Sequence, residues 1–412
     1  MPQHWNSLAS APTRPARILI VDDSAVMRAL LRSVVSTDAR LEVAGTAADG
    51  ASALRAIQSL RPDLILLDVE MPGMDGVSTL KQMKAAGNRI PVIMCSSLTQ
   101  RGAKVTIEAL ASGAADYVAK PAGQPSREAA VQSLANDLVP KILALTAGAT
   151  GIPHQPSIGA AFSAVPWNAN RASVNPRSSS QPAVLSAPPA FSIPGTPPIN
   201  LPSLAPAGSG PPAVVLIGTS TGGPAALDIV LPALPASFPV PVLVVQHMPE
   251  LFTKLLAERL NGRCPLRVAE AIPGEPIRAG SIYIARGDWH MEIASTATPA
   301  LRLTQEAPEN HCRPAVDVLF RTAVAVYDSR VLGVVLTGMG YDGLVGSRLI
   351  REHGGTVLAQ DQATSAVWGM PGAVAQAGLA HRILPLNAIA TEILRLTSRS
   401  QREAIELRES AV

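Results

Sequence analysis

The chain of 412 residues is long enough for two or three domains, each with its own core. Its formal net charge of +3 is small for this length and no run of Lys or Arg occurs, so the composition does not indicate nucleic-acid binding. No stretch approaches the ~20 apolar residues of a membrane span, and the first 15 residues lack the apolar segment of a signal peptide. Three widely separated cysteines predict unpaired thiols in a reducing compartment. We therefore expect a cytoplasmic protein that neither inserts into a membrane nor binds nucleic acid.

Composition predicts a flexible segment between two folded units. Residues 147–212 hold 14 of the 37 prolines and no Asp or Glu, and no helical or strand period persists there. Such a segment cannot order itself by burying a core. The expected division is a disordered N-terminus at 1–15, a first domain at 16–145, a Pro/Ser/Ala-rich flexible linker at 146–212, a second domain at 213–400 and a C-terminal tail at 401–412.

In the first unit, apolar runs of four or five residues alternate with helical stretches, which is typical of a parallel sheet buried on both faces. Functional groups of such sheets collect at the carboxyl ends of the strands. The polar residues that directly follow the apolar runs are Asp22, Asp23, Asp68, Ser96 and Lys120. The three carboxylates can hold Mg²⁺, and the hydroxyl and ammonium groups can contact phosphate oxygens.

At these residues the first unit closely resembles the response-regulator receiver domain. The resemblance includes LLDVEMPGMDG at 66–76 and YVAKP at 117–121. It implies a flavodoxin-like fold with five strands. It also implies that a chemotaxis histidine kinase phosphorylates Asp68, with Mg²⁺ held by Asp22, Asp23 and Asp68.

The same resemblance implies that three residues sense the phosphoryl group, namely Ser96, Tyr117 and Lys120. Phosphorylation adds a charge of about −1.5 to −2, which these groups can read as an electrostatic switch. A receiver that is never phosphorylated is the alternative, although all parts of an acceptor site are present.

The second unit also alternates strands with helices, so a doubly wound parallel sheet of the Rossmann-like class is expected. Its first strand runs into a glycine-flanked serine, in IGTSTGGP at 217–224. At such a strand-to-helix turn the backbone N–H groups point outward and can stabilise an oxyanion. Ser220 is therefore a candidate nucleophile.

A serine nucleophile needs a base and a group that orients the base. His247 directly follows the second predicted strand, and Asp342 lies in a glycine-rich turn after a later strand. Taken alone, the serine turn also suits a phosphate-binding loop, but the Walker Gly-Lys-[Ser/Thr] ending and a ribose-binding acid are both missing. The histidine and the aspartate at strand ends favour the nucleophile. His311 can contact either substrate or a loop.

Together these segments strongly resemble the catalytic domain of the chemotaxis protein-glutamate methylesterase family (CheB type). The resemblance rests on four motifs: STGGP at 220–224, QHMP at 246–249, VDVLFR at 316–321 and VWGMPGAV at 367–374. A receiver domain in front matches the domain order of the family as well. The whole chain is thus expected to be an α/β protein with a receiver domain followed by a methylesterase domain.

The resemblance implies that Ser220 is the nucleophile, that His247 acts as general base and then as acid, and that Asp342 orients His247. Further oxyanion and pocket residues are Met339, Thr221, Gly222 and His290. The implied reaction removes the methyl ester of a glutamate side chain on methyl-accepting chemoreceptors, releasing methanol. It also deamidates certain receptor glutamines, and the esterase needs no cofactor.

The resemblance also suggests how the chain is regulated. A monomer is expected, in which the receiver covers the esterase crevice until Asp68 is phosphorylated. Two departures from the family bear on this interpretation: Arg286 stands where a proline is expected, and the linker is unusually long. Two alternatives stay open, namely the same esterase in a chemosensory-like pathway outside motility, and a phosphorylation-controlled adaptor without catalysis.

Overall fold

The computed structural model describes residues 14–97, 99–121, 124–150 and 210–409. Most of the predicted N-terminal segment 1–15 and of the predicted linker 146–212 lies outside these ranges. Among the described residues, no helix is both long and apolar enough to cross a membrane.

The first unit is a five-stranded parallel sheet with the strand order β2-β1-β3-β4-β5 and helices on both faces. Its strands are β1 (Ala16–Val21), β2 (Leu41–Ala47), β3 (Leu64–Asp68), β4 (Val92–Ser96) and β5 (Asp116–Ala119). Its helices are α1 (Ala25–Val35), α2 (Gly50–Leu60), α3 (Gly76–Ala85), α4 (Gln100–Ala111) and α5 (Arg127–Thr150). The predicted flavodoxin-like sheet is therefore confirmed. The last helix extends past residue 145, where the first domain was expected to end.

Side chains at the N-termini fix where four of these helices begin. Ser24, Asp49, Asp75 and Thr99 each accept a hydrogen bond from a backbone N–H in the first turn of the following helix. Such caps satisfy donors that have no partner inside the helix. Because Ser24 caps α1 immediately after Asp22 and Asp23, the cap also fixes the backbone that carries these two acids.

The second unit is a seven-stranded parallel sheet with the strand order β14-β13-β12-β6-β7-β9-β8, plus a separate antiparallel hairpin, β10-β11. Its strands are β6 (Val214–Thr219), β7 (Val242–Gln246), β8 (Arg267–Glu270), β9 (Ser281–Ile284), β10 (His290–Ala294), β11 (Ala300–Thr304), β12 (Val331–Val335), β13 (Thr356–Gln360) and β14 (Arg382–Leu384). Its helices are α6 (Gly223–Val230), α7 (Glu250–Asn261), α8 (Val316–Tyr327), α9 (Leu344–Glu352), α10 (Met370–Gln376) and α11 (Leu386–Glu409). This confirms the predicted doubly wound sheet.

The strand order places a crevice next to β6. From β6 the chain first builds the sheet toward β7, and it later returns to the other side of β6 with β12. Ligand sites of open parallel sheets lie at such a reversal, outside the carboxyl ends of the strands. The segments that follow β6, β7 and β12 therefore converge, and each of them carries one of the predicted catalytic residues.

The two units pack against each other on the side that carries the serine turn. Helix α4 lies against α6 and α7, and the ring of Tyr117 stacks on Phe252 with 4.4 Å between ring centroids. Both rings are buried. The receiver-like unit thus covers the start of α6, which directly follows Ser220.

Candidate active site

The serine turn is tied to the loop that follows β12. The backbone N–H of Ser220 donates to the carbonyl of Thr337 at 3.0 Å, and the Thr219 hydroxyl donates to the same carbonyl at 2.9 Å. A Cβ atom at Gly338 would lie 2.9 Å from the Cβ of Ser220 and 2.4 Å from the sulfur of Met370. The loop after β12 can therefore approach the serine this closely only with glycine at position 338.

A buried threonine organises the same junction. The Thr337 hydroxyl donates to the carbonyl of Thr221 at 2.9 Å and accepts the N–H of Val367 at 3.1 Å. The Thr337 N–H donates to the amide oxygen of Gln360, which ends β13, at 2.8 Å. Sequence reasoning missed Thr337, although it directly precedes the predicted glycine-rich turn.

The structure brings two of the predicted catalytic side chains into direct contact. His247 Nε2 lies 2.8 Å from Asp342 Oδ2. The backbone N–H of His247 also donates to the carbonyl of Thr219, the residue before the serine, at 3.2 Å. The histidine and the aspartate are therefore paired next to the serine turn, as the strand-end positions predict.

The carboxylate of Asp342 lies at the N-terminus of α8. It accepts the N–H groups of Val316 at 2.6 Å and Asp317 at 3.0 Å, and also that of Gly343 at 3.0 Å. The side-chain amide of Asn310 donates to it at 2.8 Å. Burial by itself would raise the pKa of Asp342, but the hydrogen bond to His247 and the backbone donors outweigh burial and lower it. Asp342 is therefore held ionised and accepts a hydrogen bond from the Nε2–H group of His247.

The other ring nitrogen of His247 contacts a cysteine. Cys312 Sγ lies 3.5 Å from His247 Nδ1. Burial alone would lower the pKa of His247, but the sulfur of Cys312 and the carboxylate of Asp342 outweigh it and raise the pKa above its usual value. Within the described ranges, the Ser220 hydroxyl makes no hydrogen bond to this ring. Sequence reasoning missed Cys312, whose only signal was its place next to His311.

A second buried aspartate lies beside Asp342. Asp317 accepts the N–H of Gly346 at 2.6 Å and shares the amide of Asn310, at 2.8 Å, with Asp342. Burial and the nearby charge of Asp342 raise the pKa of Asp317 to about 8. The two carboxyl groups therefore differ in charge near neutral pH: Asp342 is ionised and Asp317 is mostly protonated.

The predicted pocket residues fall into two groups. Met339 lies beside Gly338 and is partly exposed, whereas His290 is buried at the start of β10. Nε2 of His290 lies 3.1 Å from the carbonyl oxygen of Ala307, and Nδ1 accepts a hydrogen bond from the N–H of Ala315 at 3.2 Å. Both ring nitrogens of His290 therefore contact the segment between β11 and α8 that carries Cys312. His311 is exposed.

The receiver-like unit occupies polar groups of the serine turn. The N–H of Gly222, the N-cap residue of α6 with φ of 80°, donates to the carbonyl of Ala115 at 3.0 Å. The hydroxyl of Thr221 donates to Asp116 Oδ2 at 2.5 Å. The carboxylate belongs to the first residue of β5, and the carbonyl belongs to the residue before it. They occupy hydrogen-bond donors next to Ser220 at the N-terminus of α6, a position that favours negatively charged groups.

The predicted acidic cluster is assembled at the other end of the receiver-like unit. Asp22, Asp23 and Asp68 each offer a carboxylate oxygen within 4.8 Å of the others. Lys120 Nζ lies 2.8 Å from Asp22 Oδ2 and 2.7 Å from Asp68 Oδ1. Burial raises the pKa of Asp68 even though Lys120 opposes this shift. Oxygen ligands of this kind suit a hard cation such as Mg²⁺.

Ser96 and Tyr117 extend from this cluster toward the second unit. The Ser96 hydroxyl is buried at the end of β4 and accepts a hydrogen bond from the Thr106 hydroxyl of α4 at 2.7 Å. Tyr117, on the neighbouring strand β5, stacks on Phe252 of α7. A continuous packed path therefore runs from the acidic cluster through β4, α4 and β5 to the serine turn.

Arg286, the departure noted in the sequence, has local partners. Its guanidinium pairs with Glu250 at the start of α7 and lies over the ring of Trp289, 5.5 Å from the ring centroid. These contacts brace the loop between β9 and β10 against α7.

Comparison with known protein families agrees with the two units. Residues 18–132 match the response regulator receiver domain, and residues 215–393 match the CheB methylesterase family.

Full-length relatives extend the similarity over nearly the whole chain. A protein of Nocardioides sp. is 46% identical over 386 residues, covering 93% of this chain and 96% of that protein. A protein of Trichodesmium erythraeum is 44% identical, covering 92% and 98%, and one of Maricaulis maris is 45% identical, covering 92% and 95%. All three are named protein-glutamate methylesterase/protein-glutamine glutaminase.

Proposed function

Because the chain belongs to the protein-glutamate methylesterase/protein-glutamine glutaminase family, we propose that Ser220, His247 and Asp342 hydrolyse glutamate γ-methyl esters and deamidate glutamines on chemoreceptors. The observation that supports this proposal best is the 2.8 Å pair of His247 and Asp342 beside the serine turn, at the reversal of the strand order. The proposed reaction would serve adaptation in chemotaxis. The same chemistry in a chemosensory-like pathway outside motility is the alternative.

The proposed reaction begins with proton transfer from Ser220 to His247. Because Asp342 accepts a hydrogen bond from Nε2, the proton of the serine goes to Nδ1, and the contact with Cys312 must open. The serine oxygen then attacks the ester carbonyl, and Asp342 stabilises the imidazolium that forms. His247 returns the proton to the leaving methanol, or to ammonia from a glutamine, and water attacks the acyl-enzyme in the same way.

The negative oxygen of each tetrahedral intermediate needs N–H donors. Ser220 lies against Gly338, so the N–H of Met339 in the same turn is the proposed main donor. The N–H groups of Thr221 and Gly222 at the start of α6 are further candidates. Loss of one such donor typically costs about 10²–10³-fold in kcat.

Regulation is proposed to act through the contact of the two units. With the carbonyl of Ala115 on the N–H of Gly222 and Asp116 on Thr221, the serine turn is covered and chemoreceptor helices are kept out. Phosphorylation of Asp68 by a histidine kinase would add charge beside Ser96 and Lys120, and Tyr117 lies in the contact itself. The covered and open arrangements are then two states whose balance phosphorylation shifts.

Phosphorylation of the receiver requires a divalent cation, and the acidic cluster fits one. Asp22, Asp23 and Asp68 present the hard oxygen ligands that Mg²⁺ prefers. When bound, Mg²⁺ neutralises charge on the incoming phosphoryl group, while Lys120 contacts its oxygens. The esterase reaction itself needs no cofactor in this scheme. We place the protein in the cytoplasm, where chemoreceptors expose their methylated helices. We further propose that it acts as a monomer.

The decisive experiment measures methanol release from methylated receptor membranes, with and without a phosphodonor. Ser220→Ala should lose at least about 10³-fold in kcat/KM, because residual catalysis without a nucleophile comes from binding and the oxyanion donors alone. Ser295→Ala is the matched control, because Ser295 is exposed in the turn of the β10-β11 hairpin. Wild-type methanol release by Ser220→Ala would exclude the proposed nucleophile, and no release by the wild type would favour the adaptor.

A further inference from the structure

A thiol, an imidazole and a carboxylate meet beside Ser220. Cys312, His247 and Asp342 each offer a donor atom, and these atoms lie within 4.8 Å of one another. Among the described residues, the acidic cluster of the receiver is the other such group. The two groups differ in chemistry, because the receiver offers oxygens alone and the esterase site offers sulfur and nitrogen.

The spacing of the sulfur and the nitrogen suits a tetrahedral metal ion. Zinc binds Cys sulfur at about 2.3 Å and His nitrogen at about 2.0–2.1 Å, which gives a sulfur-to-nitrogen distance of about 3.5 Å at the tetrahedral angle. Cys312 Sγ lies 3.5 Å from His247 Nδ1. The two atoms are therefore as far apart as two ligands of one zinc ion.

Asp342 prepares the ring for this role. It accepts a hydrogen bond from Nε2 at 2.8 Å, so the neutral form of the ring carries its lone pair on Nδ1, the nitrogen that faces Cys312. A carboxylate on the far nitrogen is the usual support of a metal-binding histidine, and it makes the imidazole a better ligand. Asp342 is itself fixed by the backbone donors of α8 and by Asn310.

We propose that Cys312 and His247 form a site for Zn²⁺ that reversibly inhibits the esterase. In the binding step, Zn²⁺ forms bonds to Sγ and Nδ1, the thiol proton is released to solvent, and water fills the remaining positions. Borderline-soft Zn²⁺ is selected by sulfur and nitrogen, whereas Mg²⁺ is directed to the acidic cluster of the receiver.

Inhibition follows from the atom that the ion occupies. The proton of Ser220 must go to Nδ1, and bound zinc removes that lone pair. This second step rests on the proposed function, whereas binding of the ion does not. The two are therefore tested separately.

Binding is tested with Co²⁺ as a spectroscopic substitute for Zn²⁺ on the full chain, in excess Mg²⁺ to fill the acidic cluster. The wild type should bind one Co²⁺ with a thiolate-to-cobalt charge-transfer band in the near ultraviolet, and Zn²⁺ should displace it. Cys264→Ser is the matched control, since Cys264 is the other partly exposed thiol, and it should keep the band. Cys312→Ser should lose the charge-transfer band. Its affinity for Co²⁺ should fall at least about 100-fold, since even a supporting residue of a metal site typically contributes about 10–100-fold.

A rescue variant separates lost coordination from lost folding. Cys312→His should bind Co²⁺ through nitrogen, giving visible bands of tetrahedral cobalt without the charge-transfer band. Absence of the band from the wild type, or its persistence in Cys312→Ser, would overturn the site.

Inhibition is then measured as methanol release in the presence of Zn²⁺, relative to the metal-free activity of each variant. Zinc should inhibit the wild type and Cys264→Ser, EDTA should reverse this, and the half-inhibiting concentration should rise at least about 100-fold in Cys312→Ser, in line with the affinity loss. Equal inhibition of Cys312→Ser and wild type would overturn the inhibitory role. A metal-free wild type without any methanol release would instead count against the proposed function and leave the cobalt result standing.

Discussion

Five hydrogen bonds converge on the carboxylate of Asp342, from three backbone N–H groups, Asn310 and His247. A buried charge costs several kcal/mol unless its oxygens are paired. Two of the backbone donors are the first N–H groups of α8, where the helix dipole also favours a negative charge. The VDVLFR motif at 316–321 therefore serves the site through its backbone, by holding the residue that orients His247.

The neighbouring Asp317 has the opposite charge preference, and this predicts a pH dependence of stability. Its pKa rises from the ordinary 3.8 to about 8 in the folded chain, through burial and the charge of Asp342. Between these values the folded chain keeps a proton that the unfolded chain releases, so stability contributed by this group is lost as the pH rises through the window. Asp317→Asn cannot ionise. The free energy of unfolding of Asp317→Asn, measured by urea denaturation, should therefore increase relative to the wild type from pH 5 to 8.

The control for this prediction is Asp38→Asn, a partly exposed aspartate that pairs with Arg40 at 2.6 Å. This pair lowers the pKa of Asp38 below its ordinary 3.8, so Asp38 stays ionised from pH 5 to 8. Its difference from the wild type should stay nearly constant over the same range. A relative stability of Asp317→Asn that falls with increasing pH would contradict the raised pKa of Asp317.

At the scale of elements, the turn after β12 sets the position of Ser220, the proposed nucleophile. An added methyl group at Gly338 would meet Ser220 and Met370 at distances that real side chains do not adopt. Met370 can move its flexible end, but the backbone of Ser220 also lies 3.0 Å away. We expect Gly338→Ala to displace the serine turn by up to about 1 Å and to lower kcat by up to about 10²-fold, because misplacement of about 1 Å can cost that much.

The measurement is methanol release with kcat and KM determined separately, alongside Gly262→Ala as control. Gly262 ends α7, and an added Cβ there meets only ordinary contacts at 3.5 Å or more. The control should keep the wild-type rate. A wild-type kcat in Gly338→Ala would show that this turn does not position the nucleophile.

The residues of the site that directly follow apolar strands could be predicted from the sequence. Ser220, His247 and Asp342 each follow an apolar parallel strand, and the carboxyl ends of such strands meet at one edge. Cys312 and Asn310 belong to the loop between β11 and α8, and their contacts depend on how α8 docks. No periodic pattern encodes that docking. The short strands β8, β10, β11 and β14 likewise lack a continuous apolar run, because they lie at the edge of the sheet or in a separate hairpin and mix polar with apolar residues.

At the scale of the whole molecule, the sequence predicted two units and a receiver that covers the esterase crevice, but not which residues of the receiver make the contact. The apolar strands identify each sheet, whereas the interdomain contact uses single polar groups such as Asp116 and Thr221. Tyr117 was expected only as a phosphate-sensing residue, and its stacking on Phe252 places it in the contact as well. The flexible linker that composition predicts for residues 146–212 would give only a modest local concentration, so these contacts would have to hold the units together.

The contact between Asp116 and Thr221 predicts the level of basal activity. The two side chains are buried and 2.5 Å apart, and a hydrogen bond to a charged group contributes about 1.5–3 kcal/mol. If the receiver covers the serine turn, Asp116→Ala should shift the balance toward the open state and raise methanol release without phosphodonor by about tenfold or more. Asp137→Ala is the matched control. Asp116 and Asp137 both pair with Lys141, at 3.9 Å and 2.8 Å, but Asp137 lies half exposed on α5. Unchanged basal release in Asp116→Ala, with phosphorylation of Asp68 intact, would show that this face of the receiver does not restrain the esterase.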